Sequence, residues 1–293
     1  MSKIKIWVEA MRLRTLPVSV AGVVAAFGVA AGQNFFKWPQ AMLCLFFALL
    51  CQTASNFANE YYDYKAGRDR IGREGPRRGV TEGEISPAAM KYATFGLLAT
   101  AAATGLCLTY WGGLWLIGIG ALIFMGALAY STGPWPLSTH CLGEVAVVAF
   151  FGLVPVNLTC YVMSQSWSTE ALLTSISIGL MGANVLVVNN MRDIPDDIAV
   201  GKHTLATTFG RTGSLIIYIV NALAASALMF TTWNNLGSTW LAVPATYFIA
   251  SIIIAKAMSR HYGRPLTRFL GITAMLMCLY SILFLLANII SCA

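Results

Sequence analysis

Nine apolar stretches, each roughly 20 residues long, limit what this 293-residue chain can fold into. A helix of that length crosses the hydrocarbon core of a bilayer. The chain is 57% hydrophobic and 11% charged, which is typical of membrane proteins with several spans. We therefore predict an all-α polytopic membrane protein with nine transmembrane helices. The stretches cover approximately residues 16–33, 39–58, 88–109, 113–131, 142–163, 170–190, 213–233, 239–257 and 268–291.

The placement of Lys and Arg predicts the orientation of these spans. Nine crossings put the N-terminus and every even-numbered loop on one side, which then holds all but one of the 19 basic residues. Only Lys37 lies on the other side. Because basic loops stay in the cytoplasm, we expect a cytoplasmic N-terminus and an external C-terminus. The net charge of +7 then reflects topology and contact with the lipid bilayer, and it gives no support for binding nucleic acid.

Three cytoplasmic loops are predicted, at 59–87, 131–141 and 189–212. One polar pattern occurs twice, where the predicted spans two and six run into the first and the last of these loops. The first copy consists of Asn56, Asn59, Asp63, Gly67 and Arg68. The second copy lies 134 residues further along the chain and consists of Asn190, Asp193, Asp197, Gly201 and Lys202. The copies follow spans two and six, so both face the same side. This spacing predicts one domain over residues 1–293, built from two four-helix units at about 16–131 and 142–257 plus one helix.

The residue types in the pattern indicate a metal-bound anion. At helical spacing the Asn and Asp residues of each copy share one face. They offer only oxygen ligands, which suits Mg²⁺, and the seven cysteines form no C-x-x-C pair that would suit a softer metal. Basic neighbours favour a phosphate beside the metal; these are Arg68, Arg78, Arg192 and Lys202. The alternative is that these residues are only solvated helix ends.

A diphosphate site at the mouth of an apolar helix bundle suits a polyprenyl diphosphate. There Mg²⁺ would neutralise the leaving diphosphate. Aromatic rings could stabilise the allylic cation, and the candidates are Tyr130, Trp135, Phe150 and Phe151. For each of these rings, packing in the apolar interior is the alternative explanation.

Several segments resemble the UbiA-type intramembrane prenyltransferase superfamily: RLRTLP, NFANEYYDYKAGRD, GPRRGVTEGEIS and NNMRDIPDDIAVGKHTL. Within it, the chain is most similar to the polyprenyltransferases that act on 1,4-dihydroxy-2-naphthoate in menaquinone synthesis. The resemblance implies nine helices around a central cavity, a cytoplasm-facing active site and two Mg²⁺ ions. It also implies prenyl transfer to an aromatic ring and residence in a bacterial cytoplasmic (inner) membrane.

The resemblance also implies roles for individual residues. The expected metal ligands are Asn59, Asp63, Asp69, Asp193 and Asp197. The residues expected to act in catalysis are Asp63, Asp193, Asp197 and Lys202, and those expected to contact substrate are Asn59, Arg68, Arg78, Tyr130 and Arg192. Relatives often carry Asp immediately after the asparagine that corresponds to Asn59, where this chain has Glu60.

The expected reaction transfers a polyprenyl group to 1,4-dihydroxy-2-naphthoate with loss of the ring carboxylate, giving demethylmenaquinone. An alternative acceptor is 4-hydroxybenzoate, homogentisate or a chlorin. A membrane ion transporter is an alternative from another class. It is disfavoured because eleven of the twelve acidic residues lie on or near the cytoplasmic side, whereas a conduction path carries them inside the spans.

Overall fold

The structure, a computed structural model, describes residues 2–72 and 75–292. Within those residues the regular elements are helical. Short 3₁₀ segments lie at Leu137–Thr139 and Ser238–Leu241, and a π-helical segment at Val148–Leu153 joins α6 to α7. The α-helices are α1 (Lys3–Ala10), α2 (Leu16–Gly32), α3 (Trp38–Lys65), α4 (Pro87–Gly112), α5 (Leu116–Ala129), α6 (Gly143–Val147), α7 (Val154–Ser164), α8 (Thr169–Ala199), α9 (Leu205–Leu228), α10 (Phe230–Asn235), α11 (Ala242–Met258) and α12 (Leu266–Cys292).

Seven of the described helical segments are long and apolar enough to cross a bilayer. They are α3, α4, the continuous segment Gly143–Ser164, α8, α9, the segment Ser238–Met258 and α12. Two further apolar helices are shorter, namely α2 with 17 residues and α5 with 14. The predicted all-helical membrane class is confirmed, whereas nine crossings remain a prediction.

The helices that carry the repeated pattern extend further than the hydropathy predicted. Helix α3 continues to Lys65 and α8 to Ala199, so the connecting segments are 66–86 and 200–204 instead of the predicted loops 59–87 and 189–212. The polar side chains of these last turns face other protein groups instead of solvent. A fall in hydropathy therefore does not mark the end of either helix. Residues 73 and 74 of the first loop lie outside the described residues.

Helix α8 lies at the centre of the bundle and packs against α2, α9 and α12. Helices α2 and α12 approach each other closely because α2 carries small residues at the contact. A Cβ on Gly28 of α2 would lie 2.7 Å from the ring of Phe284 in α12. Ahead of α2, the unpredicted helix α1 packs Ile6 and Ala10 into a cluster that contains Phe57 of α3 and Val80. This packing holds the N-terminal segment over the C-terminal end of α3.

The contact between the π-helical segment and α8 yields a stability prediction. A Cβ on Gly152 would lie 2.2 Å from the carbonyl oxygen of Ser175 and 2.6 Å from Cα of Gly179. Gly152→Ala should therefore force the helices apart and destabilise the protein by about 1–3 kcal/mol. Thermal unfolding in one detergent measures this, with Gly96→Ala as the control because nothing lies within 4 Å of that position. Equal melting temperatures for the two variants would contradict the prediction.

Candidate active site

Both copies of the repeated pattern end a helix in the same way. Gly67 and Gly201 each have φ = +67°, the left-handed conformation that glycine adopts at helix C-termini. The backbone N–H of Arg68 then donates to the carbonyl of Asp63 (2.9 Å), and that of Lys202 to the carbonyl of Asp197 (2.8 Å). The spacing from Asp to Gly to the basic residue is therefore the spacing of a helix-terminating turn.

In each turn the basic side chain folds back onto the aspartate that precedes it. Arg68 Nη1 lies 3.3 Å from Asp63 Oδ1, and Lys202 Nζ lies 3.3 Å from Asp197 Oδ1. Arg70 Nη2 lies 2.6 Å from Asp196 Oδ1 and so links the two pattern copies. The copies meet around one small polar cavity, which is lined by Asp63, Arg68, Asp69, Arg70, Asp196, Asp197, Val200 and Lys202.

Asn59 connects Asp63 to the surrounding segments. Its Nδ2 donates to Asp63 Oδ2 (2.9 Å) and to Ser131 Oγ (2.8 Å). Its Oδ1 accepts from Arg12 Nη2 (2.5 Å) and from Arg78 Nη2 (3.1 Å). The structure thus brings Asn59 and Arg78, two predicted site residues, together behind Asp63.

The buried Arg78 also lies near a third predicted site residue of the first copy. Arg78 Nε is 3.2 Å from Asp69 Oδ2. Asp69 lies within the segment 66–86, yet it reaches the polar cavity. This almost fully buried ion pair lies within the segment 66–86, and the hydrogen bond from Arg78 to Asn59 holds the segment against the end of α3.

Arg192 and Asp193 do not line the polar cavity. Arg192 forms a two-point ion pair with its neighbour, with Nε 2.7 Å from Asp193 Oδ1 and Nη2 2.8 Å from Asp193 Oδ2. Both residues are buried, and Arg192 also donates to Asn189 Oδ1 (2.9 Å). Their predicted roles in binding substrate and metal therefore require this pair to rearrange.

A second, apolar cavity of about 380 Å³ lies between α2, α3, α4, α5 and the segment Gly143–Ser164. Of the four predicted aromatic residues, Tyr130, Phe150 and Phe151 line it. Trp135 does not line it; this side chain is 70% exposed and stacks on His140. Tyr130 lies within electrostatic range of Asp63 and Asp197, which line the polar cavity.

Sequence reasoning missed four residues of this site. Arg12 and Ser131 bind Asn59, while Arg70 and Asp196 pair across the polar cavity. Asp196 is the first member of an Asp-Asp doublet, and that doublet is the signal that could have identified it. Glu60, in contrast, does not line the polar cavity. Its Oε1 accepts from the backbone N–H of Val80 (3.0 Å) and tethers the segment 66–86 to α3.

The donor set of the polar cavity fits Mg²⁺ in its chemistry. Four carboxylates line the cavity, namely those of Asp63, Asp69, Asp196 and Asp197. Within residues 2–72 and 75–292, no three acidic, His or Cys side chains already converge as a metal cage. Mg²⁺ is usually held by one or two carboxylates together with water and substrate phosphates, so it does not need a preformed cage. The three basic residues of the cavity are suited to those phosphates.

Comparison with known proteins identifies the family. The model of the UbiA prenyltransferase family matches residues 19–277. The chain belongs to the UbiA prenyltransferase family. A relative from Mycobacterium leprae, a 1,4-dihydroxy-2-naphthoate octaprenyltransferase, is 34% identical over 280 residues, which cover 94% of this chain and 93% of the relative. The octaprenyltransferase of the same name from Haemophilus influenzae is 34% identical over 251 residues, which cover 80% of each chain.

The fold of this UbiA-family chain also occurs in solved structures. A UbiA homolog from Archaeoglobus fulgidus, bound to DMAPP and Mg²⁺, matches with a TM-score of 0.69 over 96% of this chain and 99% of that chain. The two sequences are 15% identical, so the likeness is one of fold. The family predicted from the sequence segments is confirmed.

Proposed function

We propose that this prenyltransferase transfers a polyprenyl group from its diphosphate to 1,4-dihydroxy-2-naphthoate, with loss of the ring carboxylate, to give the naphthalenediol (quinol) form of demethylmenaquinone. One observation carries the proposal: Tyr130 lines a large apolar cavity and lies within electrostatic range of Asp63 and Asp197, which line a cavity with both acidic and basic side chains. A charged diphosphate joined to a hydrocarbon chain matches that pair of cavities. The relatives named above support the naphthoate acceptor.

In this proposal the chain's own residues orient the diphosphate. Lys202, Arg68 and Arg70 would exchange their carboxylate partners for phosphate oxygens. The apolar cavity would hold the first part of the prenyl chain and exclude water from the allylic carbon. Tyr130, Phe150 and Phe151 would turn their rings toward positive charge that develops there.

The residues proposed to hold two Mg²⁺ ions are those of the sequence prediction: Asn59, Asp63, Asp69, Asp193 and Asp197. Bound Mg²⁺ supplies charge neutralisation for the departing diphosphate. Asp63, Asp69 and Asp197 already line the polar cavity, whereas Asp193 would first have to release Arg192. Asn59 would keep Asp63 oriented through its 2.9 Å hydrogen bond.

For the arrangement in the membrane we propose nine crossings with the N-terminus and the active site in the cytoplasm of a bacterium. The excess of Lys and Arg on one side supports this orientation. Two units, at about 16–131 and 142–257, would each contribute one pattern-bearing helix, α3 and α8, and α12 would be the additional helix. The identical ends of α3 and α8 support the relation between the units.

The function is tested with purified protein in detergent, Mg²⁺ and geranylgeranyl diphosphate, without any membrane gradient. Acceptors are supplied one at a time: 1,4-dihydroxy-2-naphthoate, 4-hydroxybenzoate, homogentisate and a chlorin. Mass spectrometry should detect a prenylated, decarboxylated naphthalenediol from the first. A product from another acceptor in its place would identify a different prenyltransferase activity. No product from any acceptor would contradict the proposed function.

Lys202 offers a test of the diphosphate site. Lys202→Met should raise the KM for the prenyl diphosphate roughly 10- to 100-fold, because a hydrogen bond to a charged group contributes about 1.5–3 kcal/mol. The KM for the naphthoate should not change. Lys65→Met is the matched control, since Lys65 also lies at the end of a pattern-bearing helix but does not line the polar cavity. If the KM for the prenyl diphosphate is unchanged in Lys202→Met, Lys202 does not bind the diphosphate and its charge serves only to orient the protein in the membrane.

A further inference from the structure

Glu144 differs from the other buried acidic side chains on the cytoplasmic side. Those of Asp63, Asp69, Asp193 and Asp197 each lie within 3.3 Å of a basic nitrogen, and Glu60 accepts from a backbone N–H. Glu144 is only 7% exposed, and within residues 2–72 and 75–292 it forms no salt bridge. Burial of a carboxylate without a counter-charge is unfavourable, so the position calls for a chemical explanation.

One oxygen of Glu144 is held while the other is left without a donor. Oε1 accepts from Asn190 Nδ2 at 3.0 Å, and Oε2 is buried without any hydrogen-bond partner in the described structure. Asn190 is the first residue of the second pattern copy, and its counterpart Asn56 instead donates to the carbonyl of Met11 (2.9 Å). The equivalent asparagines therefore have different partners, and it is Asn190 that holds a carboxylate.

Glu144 lines neither cavity, but its neighbours contact both. It is the second residue of helix α6. A Cβ added to the first residue, Gly143, would lie 3.8 Å from the hydroxyl of Tyr130. The next residues of α6, Ala146 and Val147, line the apolar cavity. Lys202, which lines the polar cavity, lies within electrostatic range of Glu144. Glu144 therefore lies close to residues of both the diphosphate site and the apolar cavity, and a substrate would reach its buried oxygen only after these neighbours shift.

The titratable groups around α6 come from three segments. Tyr130 follows α5, Lys202 follows α8, and both interact electrostatically with Glu144. His140 and His203 lie in the two segments that pair through their backbones beside α6. The ring of His140 stacks on Trp135, and Nδ1 of His140 lies 2.9 Å from the carbonyl oxygen of Pro136. This leaves Glu144 as the carboxylate available for a proton from substrate.

We propose that Glu144 is the catalytic base that accepts the proton of the naphthoate hydroxyl next to the reacting ring carbon; this rests on the proposed function. The O–H electrons move into the ring as the carbonyl forms. The ring carbon that bears the carboxylate then bonds to the allylic carbon, whose C–O bond breaks with diphosphate as the leaving group. The product of this step is a β-keto carboxylate.

The same carboxyl group completes the reaction. The C–C bond to the carboxylate breaks, CO₂ leaves, and the electron pair restores the aromatic ring with an oxyanion at the former carbonyl. Glu144 returns its proton to that oxygen. Atoms and charge balance without any oxidant or reductant, and the carboxylate is regenerated for the next turnover.

Glu144→Gln is the decisive variant because it keeps the size of the side chain and an acceptor oxygen for Asn190. At neutral pH its kcat should fall about 10²- to 10⁴-fold, the usual contribution of general base catalysis. The KM for the prenyl diphosphate and the melting temperature should stay unchanged. Glu170→Gln is the matched control, since Glu170 also accepts from an amide, that of Gln33 (2.8 Å), but lies at the opposite end of α8 from the second pattern copy.

The pH dependence separates a base from a structural carboxylate. Wild-type turnover should fall as the pH drops through the titration of the base and should level off above it. Turnover by Glu144→Gln should instead rise about tenfold per pH unit under anaerobic conditions, because ionised naphthoate then forms in solution. Formate should partly restore Glu144→Ala, which provides a second readout if the Gln variant folds poorly.

The outcomes distinguish this proposal from the proposed function. If the wild type is inactive with 1,4-dihydroxy-2-naphthoate, both are overturned. If the wild type is active but Glu144→Gln keeps its turnover and its pH profile, only the base is overturned. A variant with low turnover, a wild-type pH profile and no rescue of Glu144→Ala by formate would also overturn the base, because those results indicate a structural carboxylate.

Discussion

Asp63→Asn and Asp197→Asn are each expected to lower kcat by at least about 10³-fold, which corresponds to roughly 4 kcal/mol of lost transition-state stabilisation. Both carboxylates line the polar cavity, and each comes from one of the two pattern-bearing helices. An asparagine keeps the shape and can still accept a hydrogen bond from Arg68 or Lys202. It removes the negative charge that a divalent cation requires. Turnover at saturating substrate concentrations measures the effect.

The control for this comparison is Glu82→Gln. Glu82 lies in the connecting segment 66–86, pairs with Arg77 at 3.4 Å and does not line the polar cavity. It should keep near-normal turnover. Asp63→Asn, Asp197→Asn and the control should melt close to the wild type, since a metal site without a preformed cage contributes little to folding. Wild-type turnover by either Asp variant would remove that residue from the metal site.

Asp193→Asn provides an informative contrast within the same series. Its carboxylate is bound at two points by the buried Arg192, so removal of its charge leaves a buried guanidinium without its partner. Breaking such a pair costs about 3–5 kcal/mol, so this variant should lose thermal stability as well as activity. A stable but inactive Asp193→Asn would instead favour direct ligation of the metal by Asp193.

Exhaustive removal of divalent cations should abolish turnover, and Mg²⁺ or Mn²⁺ should restore it. The polar cavity offers oxygen ligands from aspartates and positive charge for phosphate, a combination suited to a hard cation that arrives with diphosphate. Without the cation, four carboxylates in one cavity would repel the substrate. The measurement is product formation after EDTA treatment and dialysis, with and without added metal.

A binding readout complements the activity measurement. A non-hydrolysable prenyl thiodiphosphate should raise the melting temperature only when Mg²⁺ is present, because ligand and metal stabilise the folded state together. Neither K⁺ nor Na⁺ should substitute for Mg²⁺. Full activity in excess EDTA would refute the metal requirement, and ligand stabilisation without metal would show that Lys202 and the arginines bind the diphosphate unaided.

Much of the fold was predictable from local properties of the chain. Apolar length predicted the helices because the bilayer requires each crossing to satisfy its backbone hydrogen bonds internally. The helix ends were harder to predict. Both α3 and α8 continue for about two turns past the apolar residues, because their polar side chains are satisfied by groups elsewhere in the protein.

The site was predictable in its residue types but not in its pairings. The pattern predicted Asp63 and Asp197 at one cavity, and the structure brings both there. Trp135, in contrast, faces outward and stacks on His140. Glu144 was not selected from the sequence: its significance rests on burial and on a contact with Asn190, 46 residues away in the sequence.

The sequence by itself determined the membrane class and the family, since both depend on residues close together in the chain. Only the tertiary structure decided which charges are paired. Arg70 reaches Asp196 across 126 residues, and Arg12 reaches Asn59 across 47. The physical reason is that a buried charge must find its partner on whichever helix packs beside it, and helix packing depends on the shape of the whole bundle.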